Sequence, residues 1–339
     1  MRRTLPLPFP LPLPRRRTAV PPAACAFALV AALALTACGS SDGGGGETGD
    51  GGSSGGKTRT VRTLFGDVKV AETPRRVVVL DTAELDSALT LGVKPVGATH
   101  TDAASGFPAY LPREKLAGVK DVGEMMNPNL EAIAELDPDL ILTSKVRHGD
   151  KYKELSAIAP TVMTENTGFP WRENFQLHAD ALGRKTEAAK AVAAYRAHAA
   201  EVTAALGGTA KAAATRVNVV RFVEGADIRI YGKRNYIATI LADVGLGRPP
   251  VTDRAKDGFS YDVSPEKIDL ADADVIFHAT YGDPAKAKRT ATLGSGLWKG
   301  LTAVKKGKVF PVEDQLWIQG IGYTAAGRIL DELRTDLTK

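Results

Sequence analysis

Cysteine is almost missing from this 339-residue chain: there are two, Cys25 and Cys38, and no Cys-x-x-Cys. Histidine is scarce as well, with five, and neither His-x-His nor His-Glu-x-x-His occurs. The spacings that usually hold a bare metal ion are therefore absent. No Gly-x-Ser-x-Gly elbow stands on a strand-to-helix turn and no Ser/His/Asp set is readable, which removes the usual grounds for a hydrolase. Long hydrophobic runs are lacking too. The apolar stretch from Ala23 to Ala37 falls short of the ~20 residues a membrane-spanning helix needs.

What is present at the N-terminus is a leader. Arg15-Arg16-Arg17 precede the apolar stretch, and Leu35-Thr36-Ala37-Cys38 closes it on small residues. This resembles the signal peptidase II site of bacterial lipoproteins, which implies cleavage after residue 37 and a diacylglycerol on Cys38. Two acyl chains hold a protein on a membrane stably. Arg2, Arg3 and the three later arginines leave with the leader and no acidic residue does, so the formal charge of +5 becomes about zero in the mature chain. The basic pI is then no argument for nucleic acid. Cys25 leaves as well and Cys38 carries lipid, so no intrachain disulfide is possible and the fold must rest on its core. Residues 39–57 contain no apolar side chain and read as a flexible tether. Gly51 to Thr58 match a phosphate loop letter by letter, but without a strand before it or a helix after it the match is chance.

Beyond the tether, Thr63 to Val70 alternate and read as a hairpin turning at Gly66-Asp67. Arg75 to Asp81 form a β-branched run, the mark of a strand buried on both faces. Helix over Ala83 to Leu91, strand over Pro95 to Thr99, helix over Leu130 to Leu136, strand over Leu140 to Thr143, helix over Tyr152 to Ile158 and strand over Thr161 to Met163 follow. Such alternation predicts a βα lobe with a mostly parallel sheet. From Phe175 to Leu206 the chain is alanine-rich. Ala188, Val192, Tyr195, Ala199, Val202 and Leu206 share one face of a long helix. Alternation then resumes, with strands over Arg216 to Phe222, Arg229 to Gly232, Val275 to His278 and Val309 to Val312, and helices over Tyr236 to Val244 and Thr324 to Leu337. The spacing from Glu131 to Asp139 recurs from Glu266 to Asp274, which suggests two related lobes.

The series Pro74 to Leu80, Leu91 to Gly97, Pro128 to Glu131, Asp137 to Ile141 and Ile158 to Val162 resembles the substrate-binding lipoproteins of iron-siderophore ABC importers, the ferric siderophore and cobalamin type. Arg229 to Gly232, Gly258-Phe259, Ala271 to Phe277, Leu297-Trp298, Ala303 to Val309 and Trp317 extend the likeness through the C-terminal half. The resemblance implies an α/β protein of two Rossmann-like βα lobes joined by one long rigid α-helix, with the ligand cleft between them. The expected divisions are leader 1–37, lipidated cysteine and tether 38–57, N-terminal lobe 58–168, helical linker 169–208 and C-terminal lobe 209–339.

Ligands of such sheets sit outside the carboxyl ends of the strands, so the turns there carry the candidates. These are Asp81 to Glu84, Thr99-His100 and Ser144 to His148 in the first lobe, and Arg221, Arg229, Tyr231, Arg234, Asn235, Tyr236, His278, Tyr281 and the neighbourhood of Trp317 in the second. A siderophore already saturates its iron, so the protein should supply guanidinium donors and aromatic faces rather than metal ligands. Arg147, Arg229 and Arg234 are the leading donors, Tyr231, Tyr236 and Trp317 the leading walls, and His148 and Tyr281 further contacts. Arg221, written into an apolar strand, is either a ligand contact or a paired buried charge. Glu131 and Glu266 occupy the positions where the family carries one permease-docking glutamate per lobe. The implied protein is no enzyme. It is a lipid-anchored, monomeric, extracytoplasmic receptor for a ferric siderophore, hydroxamate favoured, and its partner is an ABC permease; cobalamin, haem, or a bare metal ion held by His100, His148 and His278 are the alternatives.

Overall fold

The computed structural model describes residues 57–101 and 106–339. Cys38, its leader and the tether up to residue 56 lie outside them. The first described element is a hairpin of β1 (Thr58–Thr63) and β2 (Gly66–Ala71). Thr63 pairs with Gly66, so the turn is Leu64-Phe65 and not the expected Gly66-Asp67. Thr63 Oγ1 closes it by accepting from Phe65 N at 3.0 Å and donating to Gly66 O at 2.8 Å. Thr58 opens a strand where a phosphate loop would require a helix.

The first lobe is built on β3 (Val77–Val79), β4 (Gly97–His100), β5 (Lys120–Glu124), β6 (Asn127–Pro128), β7 (Leu140–Ser144) and β8 (Thr161–Thr164), in spatial order β6-β5-β4-β3-β7-β8. All neighbours run parallel except the short edge strand β6. Val77 to Val79 are wholly buried because helices cover both faces of a central parallel strand. Gly97 leaves room for a neighbouring side chain: a Cβ there would lie 2.4 Å from Leu136 Cδ1, which would have to move.

In the second lobe, β9 (Val217–Val223), β10 (Ile228–Tyr231), β11 (Ser260–Val263), β12 (Val275–Tyr281) and β13 (Val309–Pro311) are ordered β11-β10-β9-β12-β13. β9, β12 and β13 are parallel, but β10 runs antiparallel to both its neighbours. Only Glu224 to Asp227 separate β9 from β10, with Gly225 at φ +75°. That is too short for a crossover, so the chain must fold back as a hairpin.

The principal helices are α1 (Thr82–Thr90), α2 (Trp171–Leu182), α3 (Lys185–Ala205), α4 (Tyr236–Asp243) and α5 (Tyr323–Leu337). The alanine-rich stretch is thus two helices. Gly183 ends α2 in the left-handed conformation, φ +68°, and a Cβ there would sit 2.7 Å from Glu72 O. α3 spans 21 residues, about 31 Å of rise. Of the face their spacing predicts, Ala188, Tyr195, Ala199, Val202 and Leu206 are buried and Val192 is half-buried.

α3 packs against α5, which also meets α1 of the first lobe. Buried residues of both sheets, Val77 and Leu140 on one side and Val217 and Phe277 on the other, therefore belong to one continuous core through these helices. An aromatic hub fixes the junction: Trp171 meets Tyr195, Tyr236 and Tyr323 with ring centroids 4.6–6.0 Å apart. Its polar tips are satisfied, with Trp171 Nε1 donating to Thr239 Oγ1 (2.9 Å), Tyr236 OH to Gly322 O (2.6 Å) and Tyr195 OH to Asp243 (2.6 Å). Such buried aromatic contacts favour a fixed arrangement of the lobes over a swinging one.

Candidate functional site: an arginine-lined cleft between the lobes

The segments after β3, β5, β7 and β8 of the first lobe meet side chains of β9 and β10, the loops after β10 and before β11, and the segment after β13 of the second. Between them lies an inner chamber of about 270 Å³, walled by Thr82, Met125, Arg147, Thr167 and Gly168 from the first lobe and by Arg221, Arg229, Tyr231, Asn235 and Phe259 from the second. An outer chamber of about 950 Å³ adjoins it, sharing Arg147, Thr167, Gly168 and Phe259. The inner wall carries three guanidiniums and no carboxylate.

Each of those guanidiniums is held from behind. Asp81 is the N-cap of α1, accepting from Thr82 N through Oδ1 at 2.6 Å, and its Oδ2 accepts from Arg147 Nε at 2.9 Å. Arg221 makes a two-point pair with Asp314 at 2.6 and 2.5 Å, and its face lies over Tyr281 at 4.9 Å. The sequence left Arg221 open between ligand contact and buried pair; the structure makes it a paired charge that also lines the chamber. Arg229 reaches Asp262 at 3.4 Å and lies 5.4 Å over Phe259. Bidentate and stacked arginines lose little further freedom when they bind oxygen atoms, which suits them to rigid anionic or polarised ligands. Tyr231 is buried beside them. Burial raises the pKa of its hydroxyl, with the charges of Arg221 and Arg229 acting the other way.

The remaining candidates separate. Arg234 lines the outer chamber, stacked 5.1 Å over Phe169. Tyr236 and Trp317 reach the inner chamber only as its floor, because both side chains are buried. Trp317 is stacked on Phe277 with centroids 4.5 Å apart and donates to Glu332 at 2.5 Å, so it is core and not the free wall its position in sequence suggested. His148 needs a firmer correction. It is wholly buried, with Nδ1 against Thr143 Oγ1 (2.6 Å) and Nε2 against Met125 O (2.7 Å), and burial lowers its pKa. Both nitrogens hold the wall behind Met125, leaving none for a ligand. Tyr281 opens instead into a side cavity of about 520 Å³ with His278, Arg289 and Gln319.

The histidines offered for a bare ion have different surroundings. His100 pairs with Asp121 at 2.9 Å, His148 is spent as above, and His278 lies in the second lobe with a pKa lowered to about 4 by burial. Among the described residues no three His, Cys, Asp or Glu are grouped to hold a metal ion. Glu131 and Glu266 are both exposed. Each stands in the first turn of a short helix, after Asn129, which accepts from Ala132 N at 3.0 Å, and after Ser264, whose hydrogen bond lowers the Glu266 pKa. No helix among the described residues is long and apolar enough to cross a membrane.

Sequence reasoning passed over Thr167-Gly168 and Phe169, while Gln319 falls in the neighbourhood of Trp317 that it did name. The first three follow β8, whose carboxyl end obeys the same rule as the other turns and could have supplied them. A groove of about 600 Å³ along α3, lined by Tyr195, Arg196, Ala199 and Tyr323, shares no residue with the cleft.

These features define a binding protein with two α/β lobes and a ligand site between them. A family profile described as periplasmic binding protein matches residues 77–316, and the chain belongs to that family. It is 36% identical over 321 residues to the probable siderophore-binding lipoprotein YfiY of Bacillus subtilis, covering 92% of this chain and 96% of that one. The iron(3+)-hydroxamate-binding protein FhuD of the same organism is 30% identical over 295 residues, 85% of this chain and 88% of its own. Staphylococcus aureus SirA, solved in complex with staphyloferrin B, matches with a TM-score of 0.74 at 32% identity, over 83% of this chain and 98% of that structure. The triscatecholate siderophore binding protein FeuA from Bacillus subtilis, complexed with ferri-bacillibactin, matches with a TM-score of 0.69 at 26% identity, over 83% and 98%.

Proposed function

We propose that this protein is an extracytoplasmic receptor, anchored through lipid on Cys38, that binds a ferric siderophore between its lobes and delivers it as a monomer to an ABC permease for iron uptake. The observation that carries this reading is the inner chamber, which presents Arg147, Arg221 and Arg229 and no carboxylate to whatever enters it. Guanidiniums recognise the outward oxygens of a chelate whose inner oxygens already hold iron. The name of the relative at 36% identity supports both the siderophore and the lipid anchor, and that of the relative at 30% supports an iron chelate.

A hydroxamate head is the finer proposal. Asp81, Asp262 and Asp314 balance the three arginines charge for charge, so the chamber is nearly neutral as a whole. It therefore suits a near-neutral ferric hydroxamate better than a trianionic catecholate complex. Glu131 and Glu266, one exposed on each lobe, are proposed to meet cationic residues of the permease.

Quenching of intrinsic tryptophan fluorescence tests the proposal, because Trp317 lies directly under the chamber floor. Titration with ferric hydroxamate, catecholate and citrate complexes should give saturable quenching, strongest for a hydroxamate. Absence of a response to every member of the panel would remove the siderophore reading.

A further inference from the structure

Six large apolar side chains are exposed among the described residues. Scattered singly over a surface they would need no explanation, but they are not scattered. Leu64, Val146, Phe169 and Phe259, between 40 and 74% exposed, all line the outer chamber. A fifth, Met126, lies against the guanidinium of Arg147. The four come from four separate places in the chain: the hairpin turn, the turn after β7, the loop after β8 and the loop before β11. Their convergence is a property of the assembled fold and of no single segment.

Phe169 and Phe259 are also set in place, the first under Arg234 and the second between Arg229 and Tyr231, whose ring lies 5.6 Å away. Apolar surface gathered at the mouth of a polar cleft marks a place where something apolar is bound. The inner chamber, at about 270 Å³, lies at the small end of ligand cavities, which run from roughly 300 to 1,000 Å³. Whatever binds there extends outward, and four of its wall residues, Arg147, Thr167, Gly168 and Phe259, lead into the outer chamber, against Gln319 alone into the side cavity.

Resting on the siderophore reading above, we infer that the ligand is amphiphilic: its iron-binding head occupies the arginine chamber and an apolar tail, of the acyl kind, lies in the outer chamber against Leu64, Val146 and Phe169. Continuity of the two chambers through Arg147, Thr167 and Gly168 assigns both to one molecule. The carboxylates among the outer chamber's lining, Glu165, Glu173 and Asp257, are exposed and keep water beside a tail, and its cations are Arg147 and Arg234.

The test uses matched pairs of ferric chelates, hydroxamate and citrate type, each with and without a medium-length acyl chain, titrated by fluorescence below the micellar concentration. Each methylene removed from water should tighten binding roughly three- to fourfold, so the acylated member should bind at least tenfold more tightly. Leu64→Ser and Leu64→Asp, at an exposed position that lines only the outer chamber, should remove most of that advantage and leave the affinity for the acyl-free member unchanged. Equal affinity for both members, or an acyl advantage that survives both substitutions, overturns the inference while leaving the siderophore reading intact. Failure of every chelate to bind overturns the siderophore reading itself, and the inference with it.

Discussion

Asp86 makes the attachment of the C-terminal helix to the first lobe measurable. It lies on α1, wholly buried, and its carboxylate accepts from Thr324 N at 3.0 Å and Ala325 N at 2.9 Å, the first free amides of α5, with Thr90 Oγ1 at 3.1 Å as a third donor. The residue before α5 is Gly322, which has no side chain to cap the helix, so the cap comes from α1. Asp86→Ala orphans two backbone donors at about 1–3 kcal/mol each. Part of that loss is returned, because burial raises the Asp86 pKa and its charged form is itself held at a cost. The net destabilisation should be about 3 kcal/mol, and Asp86→Asn, which keeps one acceptor, should lose about half as much. Gly322→Ala should behave like Asp86→Ala, since a Cβ there would lie 2.2 Å from Asp86 Oδ1. Equilibrium urea unfolding with an unchanged slope measures all three, and amide exchange in the first turn of α5 should quicken in step. A loss under about 1 kcal/mol for Asp86→Ala, or an Asn variant as unstable as the Ala one, would refute the account.

Glu84, wholly buried, has its pKa raised to about 8, first by burial and then by Asp81. From its unfolded value up to pH 8 the folded state keeps a proton that the unfolded chain releases, so this group makes stability fall as pH rises. The His178 ring, whose Nε2 lies 3.7 Å from Glu84 and whose pKa is lowered to about 4 by burial, acts oppositely below pH 6.5. Between pH 6.5 and 8 the slope from Glu84 should stand clear, at up to ~1.4 kcal/mol per pH unit, and Glu84→Gln should flatten it in pH-dependent urea titrations; an unaltered slope would show the carboxyl already ionised. Arg229→Ala should weaken the preferred chelate roughly ten- to hundredfold, the worth of a charge-assisted hydrogen bond, with the circular dichroism spectrum unaltered. Glu131→Ala and Glu266→Ala should leave chelate affinity in solution intact and lower uptake by cells carrying the cognate permease; an equal loss of affinity would reassign both to the ligand site.

How far the molecule could be read from its letters depended on the range of each interaction. Tyr152–Ile158 forms the helix its spacing predicts, residue for residue, and Val77 to Val79 are as buried as an unbroken β-branched run requires. Both are decided within a few positions of the chain. The direction of β10 was not so decided, nor was the Leu64-Phe65 turn, because alternation fixes which face a residue takes and leaves the pairing partner open. The surroundings of Trp317, which lines the chamber only as its floor, and of His148 were hidden for a related reason. A residue at the end of a strand or in its turn can point into a cleft or into the wall behind it, and the choice rests on partners such as Phe277 and Met125 that no local pattern names.

Asp81 shows why the cleft itself was only partly legible. In the sequence it is one polar residue after a buried strand, and its nearest role, capping α1 through Thr82 N, is a local one. The same carboxylate holds Arg147, 66 positions away, and thereby sets both the direction and the net charge of one ligand-facing guanidinium. Arg221 with Asp314 repeats the arrangement in the second lobe across 93 positions. The count of arginines near the cleft, available from sequence, suggests a strongly cationic site. Their aspartate partners, available only from the fold, turn it into a nearly neutral one with well-aimed donors, and that balance is the physical ground for proposing the hydroxamate head that the sequence already favoured.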